Sequence, residues 1–386
     1  MKTKRKICVV ITARPSYSRI KTAMKAIKEN DAFELQVVLA GSALLDRYGN
    51  ILPTVTQDGF AVNETVFTIL EGETPLTMAK STGLGLLELA TVFNNLKPDI
   101  VLVIADRFET ISVSIAAAYQ NIPVAHVQGG EVTGNIDEKV RHANTKLADI
   151  HLVASESARE RVIKLGEDPS YVFNTGCPSI DIAAEILKHA ALDFNPYEKY
   201  GGVGETPDFS KGYIVISQHP VTNEYENSRE QITQTLHAVN DLNIPAFWFW
   251  PNVDAGTDKV SRGIRSFREH YKAANIHFFK NMSPEDFLKL LYNSKCVIGN
   301  SSVGIRECAY LGVPVVNIGS RQDGRERADN VIDTGYRKEQ IKEAVEKCFT
   351  NKKPEPSFIY GNGNAGKRIA DILASVPLRS HKKIMY

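Results

Sequence analysis

A glycine-rich turn, HVQGGEVTGNIDEKVRH, joins an apolar run to a helical pattern. Such turns usually attract phosphate, because free N–H groups and the helix dipole favour anions. This one instead carries Glu131, Asp137 and Glu138, and Asp106 follows the preceding apolar run VLVIA. Carboxylates crowded at neighbouring strand ends raise one another's pKa values and can supply an acid and a base. The pattern predicts proton-transfer chemistry, with Glu138 and Glu109 interpreted as solvated helix-start residues.

A second candidate site follows a later apolar run, in the segment GNSSVGIRE. Ser301 and Ser302 could form a phosphate cradle at a helix start, or could only cap the helix. Glu307 could accept hydrogen bonds from a ribose diol. His219, in SQHP, is a candidate phosphate donor or proton shuttle. The arginines that could clamp a diphosphate, or else lie singly on the surface, are Arg14, Arg321 and Arg325.

These residues stand at the ends of apolar runs that alternate with helical patterns. The first runs are KICVVITA, ELQVVLAG, PDIVLVIAD, IPVAHVQGG, ADIHLVAS and YVFNTG, and the alternation restarts at YIVISQHP. Continuous Val, Ile and Leu runs between helices are typical of parallel sheets covered on both faces. Ligands bind at the carboxyl ends of such strands. The expected fold class is α/β, with two doubly wound Rossmann-like domains facing a cleft.

The expected domains follow from this alternation. The first is 1–178 and the second 179–365, with a C-terminal helix, 366–386, packing back on the first. The stretch LDFNPYEKYGGVGETPDFSKG is predicted to be a linker or inserted loop, because prolines, glycines and charges interrupt its periodicity.

Length and composition limit the class of function. At 386 residues the chain is too long for one ordinary core, and its net charge of +1 argues against a broad nucleic-acid or membrane surface. The sequence lacks a P-loop motif and an early GxGxxG, and its histidines lack metal-ligand spacing. No apolar run approaches the roughly 20 residues that span a bilayer. Five widely spaced cysteines predict reduced thiols in the cytoplasm.

Eight segments carry a resemblance to a known family: ARPSYSR, ADRFE, GGEVTGNIDEKVRHANTK, GCPS, QHPVT, PNVDAG, IGNSSVGIRE and GSRQDGRE. These segments occur in the same order as in the hydrolysing UDP-N-acetylglucosamine 2-epimerases, and the sequence resembles that family over nearly the whole chain. The family includes sialic-acid-pathway enzymes and the epimerase part of the animal bifunctional epimerase/kinase. The resemblance implies the architecture of B-type glycosyltransferases, with the nucleotide mainly on the second domain and the sugar on the first.

The resemblance also implies a reaction. A base removes the C2 proton while UDP leaves the anomeric carbon, which produces a 2-acetamidoglucal. Water then adds at C1 and a proton returns to the opposite face of C2, giving N-acetylmannosamine and UDP for nonulosonic (sialic) acid synthesis. This chemistry needs an anion clamp and carboxylates, and no redox cofactor. The resemblance further implies a homo-oligomer, either a dimer or a tetramer.

Site residues can be transferred from the family where the motifs match. Asp106 and Asp137 match acids implicated in the family's proton transfers. The positions that match its nucleotide contacts are Arg14, Ser18, Arg107, His219, Asn252, Asp254, Ser301, Ser302, Glu307 and Arg321.

Two residues depart from the family pattern. Ala105 stands where the common motif has glycine. Gln128 stands where many members have a glutamate thought to take part in catalysis, and where bacillosamine-type members tend to have histidine. Because glutamine cannot exchange a proton near neutral pH, we hypothesise that Gln128 positions the sugar or its N-acetyl group. Asp106, Glu131 and Asp137 then transfer the protons.

Several alternatives stay open at this point. The same chemistry could act on a UDP- or GDP-linked 2,4-diacetamido-trideoxy sugar, or on GDP-N-acetylglucosamine, in a legionaminic-type pathway. A non-hydrolysing 2-epimerase would yield a UDP-linked product. A B-type glycosyltransferase would need an acceptor and would show no C2 proton exchange. A non-catalytic sugar-nucleotide sensor is the alternative that is not an enzyme, and Gln128 is the best argument for it.

Overall fold

The computed structural model describes residues 4–72, 74–133, 136–251, 256–271, 273–379 and 381–385, without the side chain of Tyr48. The chain forms two compact units. The first contains the described residues within 1–131, 136–182 and 360–386, and the second contains those within 132–135 and 183–359.

The first unit is built around a parallel sheet. Its strands are β1 Arg5–Ile11, β2 Phe33–Ala40, β3 Glu64–Val66, β4 Ile100–Ile104, β5 Val124–Val127, β6 Ile150–Val153 and β7 Val172–Asn174. Among the described residues they align in the order β3-β2-β1-β4-β5-β6-β7. The helices in this part of the chain, of which the last continues into the second unit, are α1 Arg14–Ser18, α2 Lys21–Lys28, α3 Leu52–Gln57, α4 Pro75–Leu96, α5 Thr110–Tyr119, α6 Ile136–Leu147, α7 Glu156–Lys164 and α8 Pro178–Ile186.

The second unit repeats this plan. Its strands are β8 Val203–Gly204, β9 Ile214–Ser217, β10 Ala246–Phe249, β11 Ile276–Phe279, β12 Val297–Gly299, β13 Val315–Ile318 and β14 Val331–Thr334. They align in the order β14-β13-β12-β9-β10-β11-β8, and β8 alone among these described strands is antiparallel to its neighbour. The helices are α9 Pro196–Tyr200, α10 Ser228–Leu242, α11 Thr257–His270, α12 Pro284–Tyr292, α13 Ser302–Ile305, α14 Glu307–Leu311 and α15 Lys338–Thr350.

The central strands are apolar because helices cover both faces of each sheet. Every residue of β4, Ile100–Ile104, is buried, and so is every residue of β9. Such strands cannot show the alternation of a half-exposed sheet and appear instead as continuous apolar runs. The α/β class with two doubly wound Rossmann-like units is therefore confirmed.

The strand order of each sheet reverses at one point. In the first unit this point lies between β1 and β4, and in the second it lies between β9 and β12. Ligands of open parallel sheets bind outside the carboxyl ends of the strands at such switch points. The segments that follow β1, β4, β9 and β12 therefore define where chemistry is expected.

The predicted linker proved to be structured. It contains α9 and β8, and the ring of Tyr197 lies 4.8 Å from that of His277 and 5.6 Å from that of Phe247. The stretch predicted to be a linker or inserted loop therefore lies within the second unit, where aromatic contacts stabilise α9.

The final helix is shorter than the predicted 366–386. Helix α16 spans Ala365–Ser375 and packs against α2, where Gly366 approaches the backbone of Thr22. Asp181 receives hydrogen bonds from the amides of Ala365 and Gly366 and satisfies the donors at the start of α16. In the part of the chain that the structure describes, no helix combines the length and apolar character needed to cross a membrane.

Candidate active site

A buried arginine organises the acidic residues of the first unit. Arg141, on α6, is fully buried, and its Nη2 pairs with Oδ2 of Asp106, which follows β4. Its Nη1 donates to the main-chain oxygen of Glu131 at 2.8 Å and lies 3.2 Å from Oε2 of Glu138. One guanidinium therefore ties together the strand end after β4, the glycine turn and the first turn of α6.

The charges around Arg141 favour its cationic form. Burial lowers its pKa, but the carboxylates of Asp106, Glu131 and Asp137 outweigh burial, so the pKa of Arg141 is raised. Asp106 has a second cation nearby, because Arg19 Nη1 lies 3.9 Å from its Oδ1. Two cations therefore lie beside one nearly buried carboxylate and offset the cost of burying its charge.

Two residues at the ends of β4 and β5 adopt left-handed backbone conformations. Ala105 has φ +59° and Gln128 has φ +65°, a region that costs a side-chain-bearing residue about 1–2 kcal/mol. This strain turns the chain sharply beside Asp106 and at the start of the glycine turn. Ala105 is thus a position that favours glycine, which accounts for the residue in the common family motif.

His126 supports the strained turn at Ala105. Its Nε2 donates to the carbonyl oxygen of Ala105 at 2.9 Å, and its Nδ1 lies 3.2 Å from Oγ1 of Thr145. Burial lowers the pKa of His126 to about 4, so the imidazole is neutral near pH 7. A neutral ring with its proton on Nε2 fits the contact with Ala105, because a carbonyl oxygen can only accept.

Gln128 is buried next to a thiol. Its Nε2 donates to Sγ of Cys177 at 2.7 Å, and that sulfur lies 2.9 Å from Oγ of Ser179. The glycine turn that follows admits no larger residue at Gly130, which has φ +77°. An added Cβ there would lie 2.3 Å from the carbonyl oxygen of Ala158.

Two acids expected to be solvated are engaged instead. Glu109 is 4% exposed, accepts a hydrogen bond from Ser42 Oγ at 3.0 Å and lies 3.5 Å from Arg107 Nε. Glu138 bonds both to Arg141 and to His142 Nε2, the latter at 2.9 Å. Both residues lie at helix starts as expected, but Glu109 is buried rather than solvated, whereas the side chain of Glu138 is 25% exposed.

The segment after β1 contributes Arg14 and Ser18. Arg14 is the first residue of α1, and burial lowers its pKa to about 10. Ser18 Oγ donates to the carbonyl of Pro15 at 3.0 Å within the same turn. The ordinary pKa of arginine is so high that Arg14 stays cationic at neutral pH.

Asn300 joins three strand ends in the second unit. Its Oδ1 accepts from the amide of His219 at 2.7 Å, and its Nδ2 donates to the carbonyl of His219 at 2.8 Å. Its own carbonyl accepts from Arg321 Nη1 at 3.1 Å and from Gln322 Nε2 at 2.8 Å. The residues after β9, β12 and β13 are therefore held in one cluster at the switch point.

The helix after GNSS is shorter than the pattern predicts. Ser301 is the N-cap of α13, with its Oγ 3.5 Å from the amide of Val303, and α13 is a single turn. Ser302 Oγ accepts from Arg306 Nη2 at 2.8 Å. The turn depends on Gly299, at φ +134°, where a Cβ would lie 2.2 Å from the carbonyl oxygen of Ser217.

Glu307 follows directly and begins α14. It is 6% exposed, and its Oε2 is buried with no hydrogen-bond partner among the described residues. A buried carboxylate oxygen without a donor is costly, so a donor from a bound molecule is the natural complement.

The remaining predicted residues are placed as follows. Arg325 is 5% exposed and buried after β13. Asn252 and Asp254 lie outside the described residues. No cluster of three or more His, Cys, Asp or Glu side chains suited to a metal ion occurs in the described part of the chain.

Sequence reasoning missed three residues: Arg19, Arg141 and Asn300. Arg141 lies four residues after Asp137, one helical turn along α6, and that spacing was a usable signal. Asn300 stands inside the GNSS segment, but its bonds to His219 span 81 positions of sequence and carry no local signature.

Comparison with known proteins decides the family. The sequence profile described as UDP-N-acetylglucosamine 2-epimerase matches residues 25–374. A Legionella pneumophila protein named UDP-N,N'-diacetylbacillosamine 2-epimerase (hydrolyzing) is 32% identical over 97% of both chains. The chain belongs to the UDP-N-acetylglucosamine 2-epimerase family. The resemblance stated from the sequence motifs is thereby confirmed, and the protein is an epimerase of nucleotide sugars.

Further relatives support the fold and the class. Polysialic acid biosynthesis protein P7 of Escherichia coli is 33% identical, over 87% of this chain and 84% of its own. The solved UDP-GlcNAc 2-epimerase of Neisseria meningitidis, bound to UDP-GlcNAc, has a TM-score of 0.77 at 20% identity, over 95% of this chain and 99% of its own. A structural match at 20% identity bears on the fold alone, and it confirms the B-type glycosyltransferase-like fold.

Proposed function

We propose that the protein is a hydrolysing 2-epimerase that converts UDP-N-acetylglucosamine and water to N-acetylmannosamine and UDP, for nonulosonic acid synthesis. The observation that carries this proposal is the Arg141-centred cluster of Asp106, Glu131 and Asp137 at the switch point of the first sheet. The reaction needs a base and an acid around C2, and this cluster offers carboxylates in a largely buried setting.

The cluster suggests a division of labour among the acids. The carboxylate of Asp106 lies beside Arg141 and Arg19, and we assign it to accepting the C2 proton. Glu131 or Asp137 is then the donor that returns a proton to the opposite face of C2. Gln128 is buried and cannot titrate, so we assign it to positioning the sugar or its N-acetyl group.

The second unit suits the UDP part of the substrate. His219 and Arg321 are connected through Asn300, and Ser301 and Ser302 follow directly, which groups donors suitable for a diphosphate. The buried Oε2 of Glu307 suits a ribose hydroxyl donor. Arg14, Ser18 and Arg107 belong to the first unit, and we retain them as candidate contacts, with Asn252 and Asp254, on the strength of the family motif alone.

A second substrate is favoured by particular relatives. The Legionella pneumophila protein and a Campylobacter jejuni protein, 30% identical over 86% of this chain, are both named as hydrolysing diacetylbacillosamine 2-epimerases. The UDP-N-acetylglucosamine 2-epimerase of Neisseria meningitidis is 27% identical. A UDP-linked 2,4-diacetamido-trideoxy sugar is therefore the second candidate.

Product analysis in deuterated water tests the proposal. The protein is incubated separately with UDP-N-acetylglucosamine and with UDP-N,N'-diacetylbacillosamine, and the products are followed by NMR. Free N-acetylmannosamine carrying deuterium at C2 is expected. A UDP-linked 2-epimer would contradict hydrolysis, and turnover of the diacetamido sugar alone would contradict the first substrate.

The proton-transfer roles are tested with Glu131→Gln. Its kcat should fall by about 100-fold or more, in the range of a lost general acid or base. Glu160→Gln is the matched control, because Glu160 is an exposed glutamate on α7 of the same unit. Equal kcat values for the two variants would remove Glu131 from proton transfer.

We also propose that the enzyme is a homo-oligomer. Leu76 and Leu87 of α4 lie on one helix face and are 64% and 69% exposed, and Tyr119 at the end of α5 is 85% exposed. Exposed large apolar residues grouped on packed helices are typical of an interface. Leu87→Glu should shift the molecular mass in light scattering towards the monomer, and an unchanged mass would exclude this surface.

A further inference from the structure

The chain after α16 is fastened to the first unit. We call the described residues 377–379 and 381–385 the C-terminal tail. The carbonyl oxygen of Pro377 accepts a hydrogen bond from Tyr171 Oη at 3.2 Å. Arg379 pairs with Asp168 at 2.9 Å, and its guanidinium carbon lies 3.6 Å from the centre of the Tyr171 ring. The amide of Met385 donates to the carbonyl oxygen of Gly166 at 2.9 Å. The tail is thus held at both ends.

Between these two attachments, Lys382 caps a helix. Its Nζ lies 3.1, 2.8 and 2.5 Å from the carbonyl oxygens of Thr145, Lys146 and Ala148. These carbonyls end α6, where the last turn has no further amides to bond and the helix dipole is negative. An ammonium group with three donors suits this position.

A buried carboxylate holds the ammonium in place. Glu167 is fully buried, and its Oε2 lies 2.6 Å from Lys382 Nζ and 3.0 Å from His151 Nε2. Its Oε1 lies 2.6 Å from Lys146 Nζ. Burial raises the pKa of Glu167, but hydrogen bonds from His151, Lys146 and Lys382 outweigh burial and lower it to about 2.

The capped helix is the one that carries site residues. Asp137 lies in the first turn of α6 and Arg141 in its middle, and Thr145 Oγ1 donates to the carbonyl of Arg141 at 3.1 Å. Asn144 also holds this helix, through Ser114 Oγ and Thr110 Oγ1, each at 2.8 Å. Lys382 adds the contact that secures the final turn.

We propose that Lys382 is a positioning residue, which caps α6 and so holds Arg141 and Asp137 in place beside Asp106. This inference rests on the proposed epimerase function, because it assigns the Arg141 cluster to proton transfer. It predicts that a change in the tail acts on the chemical step and not on nucleotide binding, which we assign to the second unit.

Three variants of the full chain test the inference. Lys382→Met removes the cap, Lys382→Arg keeps a cation, and Lys383→Met changes the neighbouring exposed lysine as a control. Lys382→Met should lower kcat about tenfold, since small displacements of catalytic groups are costly, and should leave KM within about twofold of wild type. Backbone amides of residues 144–148 should exchange faster with solvent in this variant. Lys382→Arg should restore most of both properties.

Three results would contradict the positioning role of Lys382. The inference is overturned if Lys382→Met matches Lys383→Met in kcat, if amide exchange in residues 144–148 is unchanged, or if KM rises while kcat stays constant. Turnover by wild type with either nucleotide sugar establishes the function independently of these variants. Wild type without turnover refutes the proposed function and the positioning role with it, whereas the exchange measurement still reports on the cap.

Discussion

Replacement of Arg141 by Gln removes the charge that organises the acids of the first unit. In wild type this side chain is fully buried, pairs with Asp106, bonds to the main chain of Glu131 and contacts Glu138. The variant leaves the Asp106 carboxylate 8% exposed with its principal counterion gone.

The expected loss of stability in Arg141→Gln follows from the burial of the ion pair. Breaking a buried ion pair by removing one partner costs about 3–5 kcal/mol, because the remaining charge is neither solvated nor compensated. That is a large part of the roughly 5–15 kcal/mol by which a folded domain is stable. Arg159 provides the matched control, since its pair with Glu156 lies at the surface, with side chains 34% and 60% exposed, and contributes about 0–1 kcal/mol.

Urea unfolding measures the difference. Circular dichroism reports on both units, whereas tryptophan fluorescence reports on the second unit, because the two tryptophans, Trp248 and Trp250, both lie there. Arg141→Gln should therefore shift the dichroism transition more than the fluorescence transition, and kcat should fall by about 100-fold.

A double-mutant cycle isolates the pair itself. The double variant Asp106→Asn/Arg141→Gln should lose less stability than the sum of the two single variants, by about 0.5–3 kcal/mol. The reason is that Asp106→Asn removes the carboxylate charge that Arg141→Gln alone leaves buried without a counterion. The reasoning is refuted if Arg141→Gln destabilises no more than Arg159→Gln, or if the cycle shows strict additivity.

Three further predictions concern backbone strain and protonation. Ala105→Gly should stabilise the protein by about 1 kcal/mol in urea unfolding, because φ is +59° at this position and glycine adopts it without strain. Ala79→Gly, at an exposed position of helix α4, should instead destabilise the protein by about 1 kcal/mol. Changes of the same sign in both variants would contradict this reasoning. Gly299→Ala should weaken UDP binding at least tenfold in calorimetric titration, since its Cβ would meet Ser217, whereas Gly83→Ala, with open space around its Cβ, should leave binding unchanged. The pKa of His126 is about 4 when folded and near 6.5 when unfolded, so the unfolded chain takes up this proton first as pH falls. The resulting loss of stability between pH 7 and pH 5, about 2 kcal/mol, should be absent from His126→Gln, and an equal loss in both proteins would refute it.

Much of the fold could be predicted because its signals are local. Strands such as Ile100–Ile104 are continuous apolar runs, since helices cover both faces of the sheet, and the polar residues after them mark the carboxyl ends. The family motifs occupy these ends, so Asp106, His219 and Ser301 were identified as candidates without any structure. Two short elements could not be predicted, because helix α9 is stabilised by aromatic contacts of Tyr197 and β8 by pairing with the distant strand β11, and neither leaves a periodic pattern.

The sequence by itself determined the α/β class, the family and the strand ends at which polar residues gather. Only the tertiary structure decided their partners: Arg141 with Asp106 across 35 positions, Gln128 with Cys177 across 49, and Lys382 with the end of α6 across more than 230. Local patterns record how a segment folds, because propensity and periodicity act over one or two turns. Charge pairing and helix capping depend on which distant segments the sheet order brings together, and that order is a property of the whole chain.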